Sequence, residues 1–272
     1  MKLTLAFCVY NKADTIASVL ASWLSTLSGQ HTYEVIVVCD ACVDGTQAAA
    51  RAKLRRFSRA LESWTVLDTA DVYEIAANNA ALATAAPDSE LIVFIQDDNW
   101  AFSPDWDVTL INVRALVERP GCTALLAGGL FHPGGMTYER VESDAPHKGE
   151  DFTGHGIPAD KYPPGVYSVD FITRPFVVST PLLREVGGLG APGFDVICWD
   201  DTDLSIKLLR QGYVNQYVAL DVLNTCSGQQ TMKERMATSF THNLAIFRAL
   251  HHDWLAARET NSYRFIAPLE RA

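Results

Sequence analysis

The chain has 272 residues, of which 48% are hydrophobic and 20% are charged, and its formal net charge at pH 7 is −10. These values are typical of a globular protein, and the length allows one large domain or two small ones. The negative charge argues against a nucleic-acid-binding protein, which would carry a basic surface.

No apolar run reaches the roughly 18 residues that a transmembrane helix needs. The N-terminal run from Leu3 to Tyr10 is short and leads into Asn11 and Lys12 without a cleavage pattern, so we expect a strand there and not a signal peptide. The six cysteines lack the spacing of a secreted disulfide scaffold. We therefore expect a cytoplasmic protein with reduced thiols.

The first 130 residues alternate strand-like and helix-like segments. Short apolar runs predict strands, and apolar residues at helical spacing predict helices between them. Because the connections are short, the alternation predicts a mostly parallel sheet with right-handed crossovers. The predicted strands are 3–9, 34–38, 64–67, 91–96 and 123–130, and the predicted helices are 16–28, 46–59, 73–85 and 103–118.

The composition changes after residue 130. Residues 132–165 are rich in Gly and Pro, and loops of this length inside a compact protein usually carry function or move. We see no linker and no internal repeat, so we predict one domain over residues 1–272. The later predicted elements are a strand over 166–179 interrupted at Arg174-Pro175, a short helix over 181–186, a helix over 199–211, a strand over 213–222 and a long helix over 233–258.

The segment 91–100 joins a buried strand to two adjacent acids. Its apolar run is typical of a parallel strand that is covered on both faces, and it ends directly at Asp97 and Asp98. Ligands of such sheets bind beyond the carboxyl ends of the strands. Carboxylates there favour a hard divalent ion such as Mg²⁺ or Mn²⁺, although Asp and Asn are also common in ordinary turns.

Polar residues follow three predicted strands at the same edge of the sheet. Tyr10 and Asn11 follow the first strand, Asp40 follows the second, and the two acids follow the fourth. Groups that are distant in the chain and meet at one edge are expected of an α/β binding site. Neither a Gly-x-Gly-x-x-Gly motif nor a Gly-Lys-Ser/Thr loop follows the first strand, which excludes the ordinary dinucleotide and P-loop sites.

An ordered set of motifs in residues 3–215 resembles family 2 glycosyltransferases, which have the nucleotide-diphospho-sugar transferase fold called GT-A. Residues 7–12 resemble the opening strand and "YN" loop, and residues 34–46 resemble the "EIIVVDDGSTDGT" segment. Residues 77–81 lie where the family often has "ARNxG". Residues 95–99 resemble the metal motif D-x-D, and Gly187-Gly188 with 199–204 and 212–213 resemble "GGF…EDxDL…GY".

The resemblance implies a GT-A domain with a mostly parallel central sheet flanked by helices and a C-terminal acceptor-side region. It divides the chain into a nucleotide-sugar-binding half (1–130), an acceptor and catalytic half (131–228), and a C-terminal helix and tail (229–272). The implied donor is a nucleotide-diphosphate sugar, most readily a UDP-sugar. The acceptor is left open among a growing polysaccharide, a lipid-linked sugar and a protein.

The resemblance also implies a role for individual residues. Asp40 matches the aspartate that binds the base, Asp97 would face the ribose, and Asp98 would bind Mn²⁺ or Mg²⁺. Asp201 matches the general base of an inverting displacement, although the acids that begin its helix also suit the helix dipole. The remaining implied donor-binding residues are Cys8, Tyr10, Asn11 and Asn79.

The chain departs from the family pattern at three places. Cys39 replaces the first aspartate of the "DD" pair, and Asn78 replaces an arginine, so both changes bear on base preference. Many relatives have a metal-binding histidine after the last strand. Here the sequence is Leu223-Asn224-Thr225-Cys226-Ser227, and Asn224 or water would be the third ligand.

Three other functions stay open. Cys39-Asp40-Ala41-Cys42 is a C-x-x-C between a strand and a helix, as in thioredoxin-like enzymes, although the intervening acid does not help to stabilise a thiolate. The chain could also bind sugar nucleotides without catalysis. A nucleotidyltransferase would need a Gly-rich basic loop near the first strand, which is missing.

The apolar face of the terminal helix could dock on a membrane or a second subunit, but we expect it to pack on the domain.

Overall fold

The computed structural model describes residues 1–125, 165–218, 220–224, 230–257 and 263–269. Over residues 1–125 it has the predicted alternation of strand and helix. The strands are β1 (Lys2–Val9), β2 (Thr32–Asp40), β3 (Ser63–Thr69), β4 (Leu91–Gln96), β5 (Asn99–Ala101) and β6 (Pro120–Leu125). The helices are α1 (Ile16–Ser25), α2 (Thr46–Phe57), α3 (Tyr73–Thr84) and α4 (Trp106–Arg114).

The later part of the chain completes the sheet and adds the helix that carries the predicted base. Its strands are β7 (Gly165–Val169), β8 (Phe176–Ser179), β9 (Val214–Val218), β10 (Val222–Asn224) and β11 (Tyr263–Pro268). Its helices are α5 (Thr180–Glu185), α6 (Asp200–Arg210) and α7 (Gln230–Ala256).

Nine of the described strands form one sheet in the order β11-β7-β9-β6-β8-β4-β1-β2-β3. The pairings β1 with β2, β1 with β4, β2 with β3 and β6 with β9 are parallel. Strands β7 and β8 run against the others, because each pairs antiparallel with both of its neighbours. The predicted mostly parallel central sheet is therefore confirmed, with two reversed strands.

The reversed strands correct one detail of the sequence analysis. The apolar segment 166–179 was expected to form one interrupted strand, but β7 and β8 lie apart in the sheet, separated by β9 and β6. The chain between them, residues 170–175, bonds Ser205 of α6 and Asn215 of β9, and it contains Arg174. The interruption at Arg174-Pro175 therefore marks a crossover and not a local kink.

The fourth helix also begins later than its sequence suggests. Ser103-Pro104 has the pattern of an N-cap followed by Pro at the first helical position, yet α4 begins at Trp106. The Ser103 hydroxyl accepts a hydrogen bond from the backbone N–H of Asp221 instead, at 2.7 Å. This bond ties the segment before α4 to the chain before β10, which pairs with β5.

Helix α7 packs its apolar face on the domain, as expected. Phe247 and Leu255 are buried, and together with Phe171, Trp199 and Ile206 they form a second hydrophobic cluster. Trp199 lies 5.0 Å from the Phe247 ring, measured between centroids. Within the described ranges, none of the helices is both long and apolar enough to cross a bilayer.

Candidate active site

The predicted site residues meet at the carboxyl edge of β1, β2 and β4. The register pairs Val9 with Cys39 and Cys8 with Gln96, so the three strands end side by side. Asp40 is the last residue of β2, and Asp97 directly follows β4. The predicted convergence at one sheet edge is therefore what the fold produces.

Asp97 is tied to the loop after β1. The Tyr10 backbone N–H donates to Asp97 Oδ2 at 3.3 Å, and Lys12 Nζ lies 3.8 Å from Oδ1. Burial raises the pKa of Asp97 to about 7; the nearby Asp98 adds to this rise, while Lys12 and the Tyr10 amide oppose it. The groups around Asp97 therefore do not fully stabilise its ionised form, and a cation or a further hydrogen-bond donor would stabilise it.

Asp98 lies in a tight turn that Asn99 holds in place. Asn99 is fully buried, and its Oδ1 accepts a bond from the Gln96 N–H at 3.2 Å while its Nδ2 donates to Asp98 Oδ1 at 3.3 Å. Trp23 Nε1 donates to the Asn99 carbonyl at 2.9 Å. The turn is thus rigid, and the half-buried Asp98 is presented at the sheet edge.

Asp40 has a structural task in addition to its predicted role. Its Oδ1 accepts bonds from Thr69 Oγ1 and the Val72 N–H, and its Oδ2 accepts from the Tyr73 N–H, all at 2.8 Å. These bonds anchor the N-terminus of α3 to β2. Contact with a nucleotide base stays a prediction. The base would have to donate to a carboxylate lone pair that these three bonds do not use.

Asn11 and Asn79 also brace the backbone. Asn11, with a φ of 50°, accepts from the Val43 N–H at 2.9 Å. Asn79 forms two 2.9 Å bonds with the backbone of Leu189, one as donor and one as acceptor. These bonds hold the loops around the predicted donor pocket, and direct contact with the donor stays a prediction for both residues.

Cys8 lies among the acids of the site. Burial raises the pKa of the Cys8 thiol well above its usual value, and Glu74, Asp97 and Asp40 raise it further. The thiol is therefore neutral at physiological pH. It can line the predicted base pocket as a small apolar group.

Asp201 lies in the first turn of α6, preceded by two residues with positive φ, Cys198 and Trp199. Its Oδ1 accepts a 2.8 Å bond from the Thr202 N–H, and 17% of its side chain remains exposed. Burial raises the pKa of Asp201 to about 7, and the neighbouring Asp200 adds to the rise. This value suits a group that must exchange a proton near neutrality.

The other acids of that turn are structural. Asp203 is fully buried and lies 2.6 Å from Lys207 Nζ and 2.8 Å from His251 Nε2. His251 on α7 therefore has a structural role, because it holds the buried Asp203. Asp200 is also buried, and it pairs with Arg174.

Arg174 connects the two halves of the site, and the sequence analysis did not identify it. Its Nε lies 3.3 Å from Glu74 Oε1, its Nη2 bonds Asp200 Oδ2, and its Nη1 lies 3.9 Å from Asp201 Oδ2. Gln96 Nε2 in turn donates to Glu74 Oε1 at 3.0 Å. A continuous chain of contacts therefore runs from the end of β4 to the predicted base.

One signal in the sequence could have revealed Arg174. An arginine in an otherwise apolar segment is rarely buried without acidic partners, and residues 171–177 surround it with Phe, Ile, Pro and Val. The partners themselves could not be identified, because Glu74 lies 100 positions earlier in the chain.

The C-x-x-C cysteines are free thiols in contact with each other. Cys39 is buried and Cys42 is half-buried. Their hydrogen bond raises the pKa of Cys39 and lowers that of Cys42, to about 7. Cys42 Sγ also accepts from the Asn11 N–H at 3.3 Å, so the pair lies beside the predicted donor pocket.

The acids of the edge fit a metal that is shared with a ligand. Among the residues with described side chains, no three His, Cys, Asp or Glu residues converge into a complete metal cage. A hard cation bound by one or two carboxylates and by substrate phosphates needs no such cage, and Asp98 beside the half-buried Asp97 provides that set. The backbone of Asn224 pairs opposite Asn99, next to the acidic turn. The Asn224 side chain, Cys226 and residues 126–164 lie outside what the structure describes.

Three solved structures with the same fold contain a nucleotide or a nucleotide sugar. The mannosyltransferase PcManGT from Pyrobaculum calidifontis, solved with GDP-Man and Mn²⁺, is 19% identical, with a TM-score of 0.59 over 89% of this chain and 63% of its own. TarS 1–349 of S. aureus with UDP-GlcNAc is 16% identical, with a TM-score of 0.50 over 80% of this chain and 56% of its own. GalNAc-T7 with UDP, GalNAc and Mn²⁺ is 13% identical, with a TM-score of 0.62 over 80% of this chain and 42% of its own.

These similarities confirm the expected fold, the GT-A fold of nucleotide-diphospho-sugar transferases. The chain spans less than two thirds of the length of each of these three proteins. Neither a protein-family model nor a curated protein matches the sequence.

Proposed function

We propose that this protein is a metal-dependent glycosyltransferase of the family 2 type, which moves a sugar from a nucleotide-diphosphate sugar to an acceptor hydroxyl. The observation that carries the proposal is the chain of contacts from the acidic turn through Gln96, Glu74 and Arg174 to Asp201. It supports one shared site for the candidate donor-binding groups and the candidate base, at the edge of the sheet where ligands of α/β folds bind.

The donor half of the site is residues 1–130, and a UDP-sugar is the donor that the motifs favour. Asp40 serves the base and Asp97 the ribose. The other proposed donor-binding residues are Cys8, Tyr10, Asn11 and Asn79, of which the last three also brace the surrounding loops. The solved neighbours bind GDP-Man, UDP or UDP-GlcNAc, so the base is the first feature to test.

Asp98 is the proposed metal ligand, and Mn²⁺ is the first ion to test because two of the neighbours hold it. A divalent cation held there and by the donor diphosphate would neutralise the charge that develops on the leaving nucleoside diphosphate. The chain supplies the Asp98 carboxylate and the fixed turn that presents it.

Asp201 is the proposed general base. Its free carboxylate oxygen accepts the proton of the acceptor hydroxyl as that oxygen bonds to the anomeric carbon. The bond from the anomeric carbon to the diphosphate oxygen breaks, and its electron pair leaves with the nucleoside diphosphate. A single displacement of this kind inverts the anomeric centre. The acceptor half, 131–228, would receive a saccharide, a lipid-linked sugar or a protein, and α7 with the tail completes the domain.

The direct test is a screen of nucleotide sugars for metal-dependent hydrolysis, combined with thermal stabilisation of the protein by each nucleotide. The proposal expects one donor to be hydrolysed in the presence of Mn²⁺ and its nucleoside diphosphate to raise the melting temperature. The absence of both effects across UDP-, GDP-, ADP- and dTDP-sugars would refute it.

Replacement of Asp98 by Asn should remove the metal dependence of donor binding. In the wild type, Mn²⁺ should tighten nucleoside diphosphate binding about tenfold or more relative to chelator, which corresponds to about 1.4 kcal/mol. Calorimetry with and without chelator measures this. Asp88→Asn is a matched control, because Asp88 lies near Lys2 at the opposite edge of the sheet. Equal affinity with and without metal in the wild type would contradict the role of Asp98.

The rate of transfer should rise with pH through about 7 and then level off. The proposed base must be ionised, and the buried site raises the pKa of Asp201 to about 7, so the protonated and inactive form dominates below that pH. A kcat/KM profile between pH 5 and pH 9 at saturating metal measures this. A flat profile across that range would argue against Asp201 as the base.

The thiol pair supports one other function, a thiol–disulfide oxidoreductase. The contact between Cys39 and Cys42 and the lowered pKa of Cys42 favour it. The burial of Cys39 and the acidic edge are unexplained by it. The reduction potential of the pair, together with the transfer activity of Cys42→Ser, distinguishes the two functions.

A further inference from the structure

The guanidinium of Arg174 is the centre of a buried cluster with unbalanced charge. Only 6% of its side chain is exposed, and it faces Glu74 from α3 and Asp200 and Asp201 from α6. One cation among three carboxylates leaves an excess of negative charge when all are ionised. Such an excess is costly in a buried site, so the cluster holds on to a proton.

The three acids contact Arg174 in different ways. Asp200 is 1% exposed and bonds Nη2 directly, so it fixes the guanidinium in place. Glu74 binds Nε and is itself held by Gln96. Asp201 is the most distant at 3.9 Å and the most exposed at 17%. At 3.9 Å Arg174 attracts the Asp201 carboxylate without a hydrogen bond to Oδ2, the oxygen that does not accept from the Thr202 N–H.

Other groups also face Asp201, and the signs of their charges determine whether each one favours or opposes the ionised form of Asp201. Asp200 and Glu74 disfavour the ionised form of Asp201, and Arg174 favours it. The thiols of Cys198 and Cys122 lie close enough to sense the Asp201 charge, and burial keeps both thiols neutral. Arg174 is thus the positive charge that opposes two negative ones.

We propose that Arg174 is a positioning residue for the base, which orients the Asp201 carboxylate and keeps enough of it ionised to accept a proton at neutral pH. This inference rests on the proposed function and deepens it. Arg174 itself touches neither donor nor acceptor in this role. Glu74 and Asp200 both contact the guanidinium and so fix its position, while their own charges oppose the ionisation of Asp201 directly.

The test is a set of variants that move the charge in opposite directions. Arg174→Met removes the positive charge and should shift the acidic limb of the kcat/KM profile to higher pH by about one unit or more. Glu74→Gln removes one negative charge and should shift it to lower pH by about half a unit. Arg174→Lys keeps the positive charge but lacks the planar guanidinium donors. The acidic limb of the kcat/KM profile should therefore stay at its wild-type pH, while kcat falls about tenfold.

The same variants can be read without any turnover. Aspartate labelled with ¹³C at Cγ gives a carboxyl resonance for Asp201, identified by its loss in Asp201→Asn, and its titration should shift in the same directions. Circular dichroism verifies folding of each variant, and if Arg174→Met does not fold, Glu74→Gln and Arg174→Lys still decide.

Opposite shifts of both the resonance and the activity limb would support the proposal. The proposal would be overturned if the Asp201 resonance titrated at the wild-type pH in every folded variant. It would also be overturned if Glu74→Gln lowered kcat but left the acidic limb of the profile at its wild-type pH. A resonance that shifts as expected in a protein that transfers no sugar would support the coupling of Arg174 to Asp201 and refute the proposed function instead.

Discussion

Replacing Asp201 by Asn should lower the turnover number by about 10²- to 10⁴-fold and leave donor binding unchanged. General base catalysis by a positioned carboxylate contributes about this much, and an amide of the same shape cannot accept the acceptor proton. Single-turnover transfer and calorimetry with the nucleoside diphosphate measure the two quantities. This pairing also separates an enzyme from a protein that only binds sugar nucleotides.

The same variant should remain folded. A carboxyl whose pKa is raised by folding stabilises the protein below its unfolded pKa, and this contribution is lost as the pH rises through about 7. At pH 8 the ionised Asp201 is therefore a cost, and its neutral replacement should be at least as stable in urea as the wild type. Loss of activity with retained stability would mark a chemical role.

Asp203→Asn is the matched control in the same helical turn. Asp203 contacts Lys207 and His251 and is fully buried, so its replacement should lower stability and leave turnover per folded molecule near the wild-type value. If Asp201→Asn turned over at the wild-type rate, or Asp203→Asn alone lost turnover, the assignment of the base would be wrong.

Replacing Trp23 by Ala should reduce the free energy of unfolding by about 3–5 kcal/mol, the usual cost of deleting a buried aromatic side chain. Trp23 is fully buried, and its ring meets that of Trp106 edge to face at 5.1 Å between centroids. It also bonds the Asn99 carbonyl at 2.9 Å, so the acidic turn loses its support. Urea unfolding measures the stability, and metal titration measures the turn.

Trp23→Phe separates packing from the hydrogen bond. It keeps an aromatic ring but cannot donate to Asn99, so it should lose less stability, on the order of 1–3 kcal/mol, and still weaken Mn²⁺-dependent donor binding. Trp64→Ala, at a half-buried position on β3, is the control for loss of a tryptophan elsewhere. A Trp23→Ala protein within about 1 kcal/mol of the wild type would contradict this account.

The acidic edge was predictable from sequence because it depends on local patterns. Each apolar run of the first half ends at a polar residue, and parallel strands bring such ends together. The pairing of Asp97 with the Tyr10 amide follows directly from the register of β1 and β4. Where strands end and which way they run was enough to predict the convergence.

The rest of the site depends on contacts between distant residues, which periodicity does not encode. Glu74 and Arg174 meet only because β8 inserts antiparallel between β4 and β6 and the crossover before it carries Arg174 to the edge. The capping of α3 by Asp40 depends likewise on left-handed backbone at Asp71 and Tyr73. Asp adopts this conformation more readily than most residues, but Tyr does not, so the pattern at 71–73 does not indicate it.

Helix α7 has a consequence for anyone who divides or shortens this chain. Asn243 bonds the backbone carbonyls of Ile197 and Cys198, directly before the helix that bears Asp201, and His251 pairs with Asp203 within it. A protein cut before α7 would lose these braces and expose the apolar cluster around Trp199. Its loss of activity would then report a disordered base helix, so a truncated form is unsuitable for mapping the acceptor site.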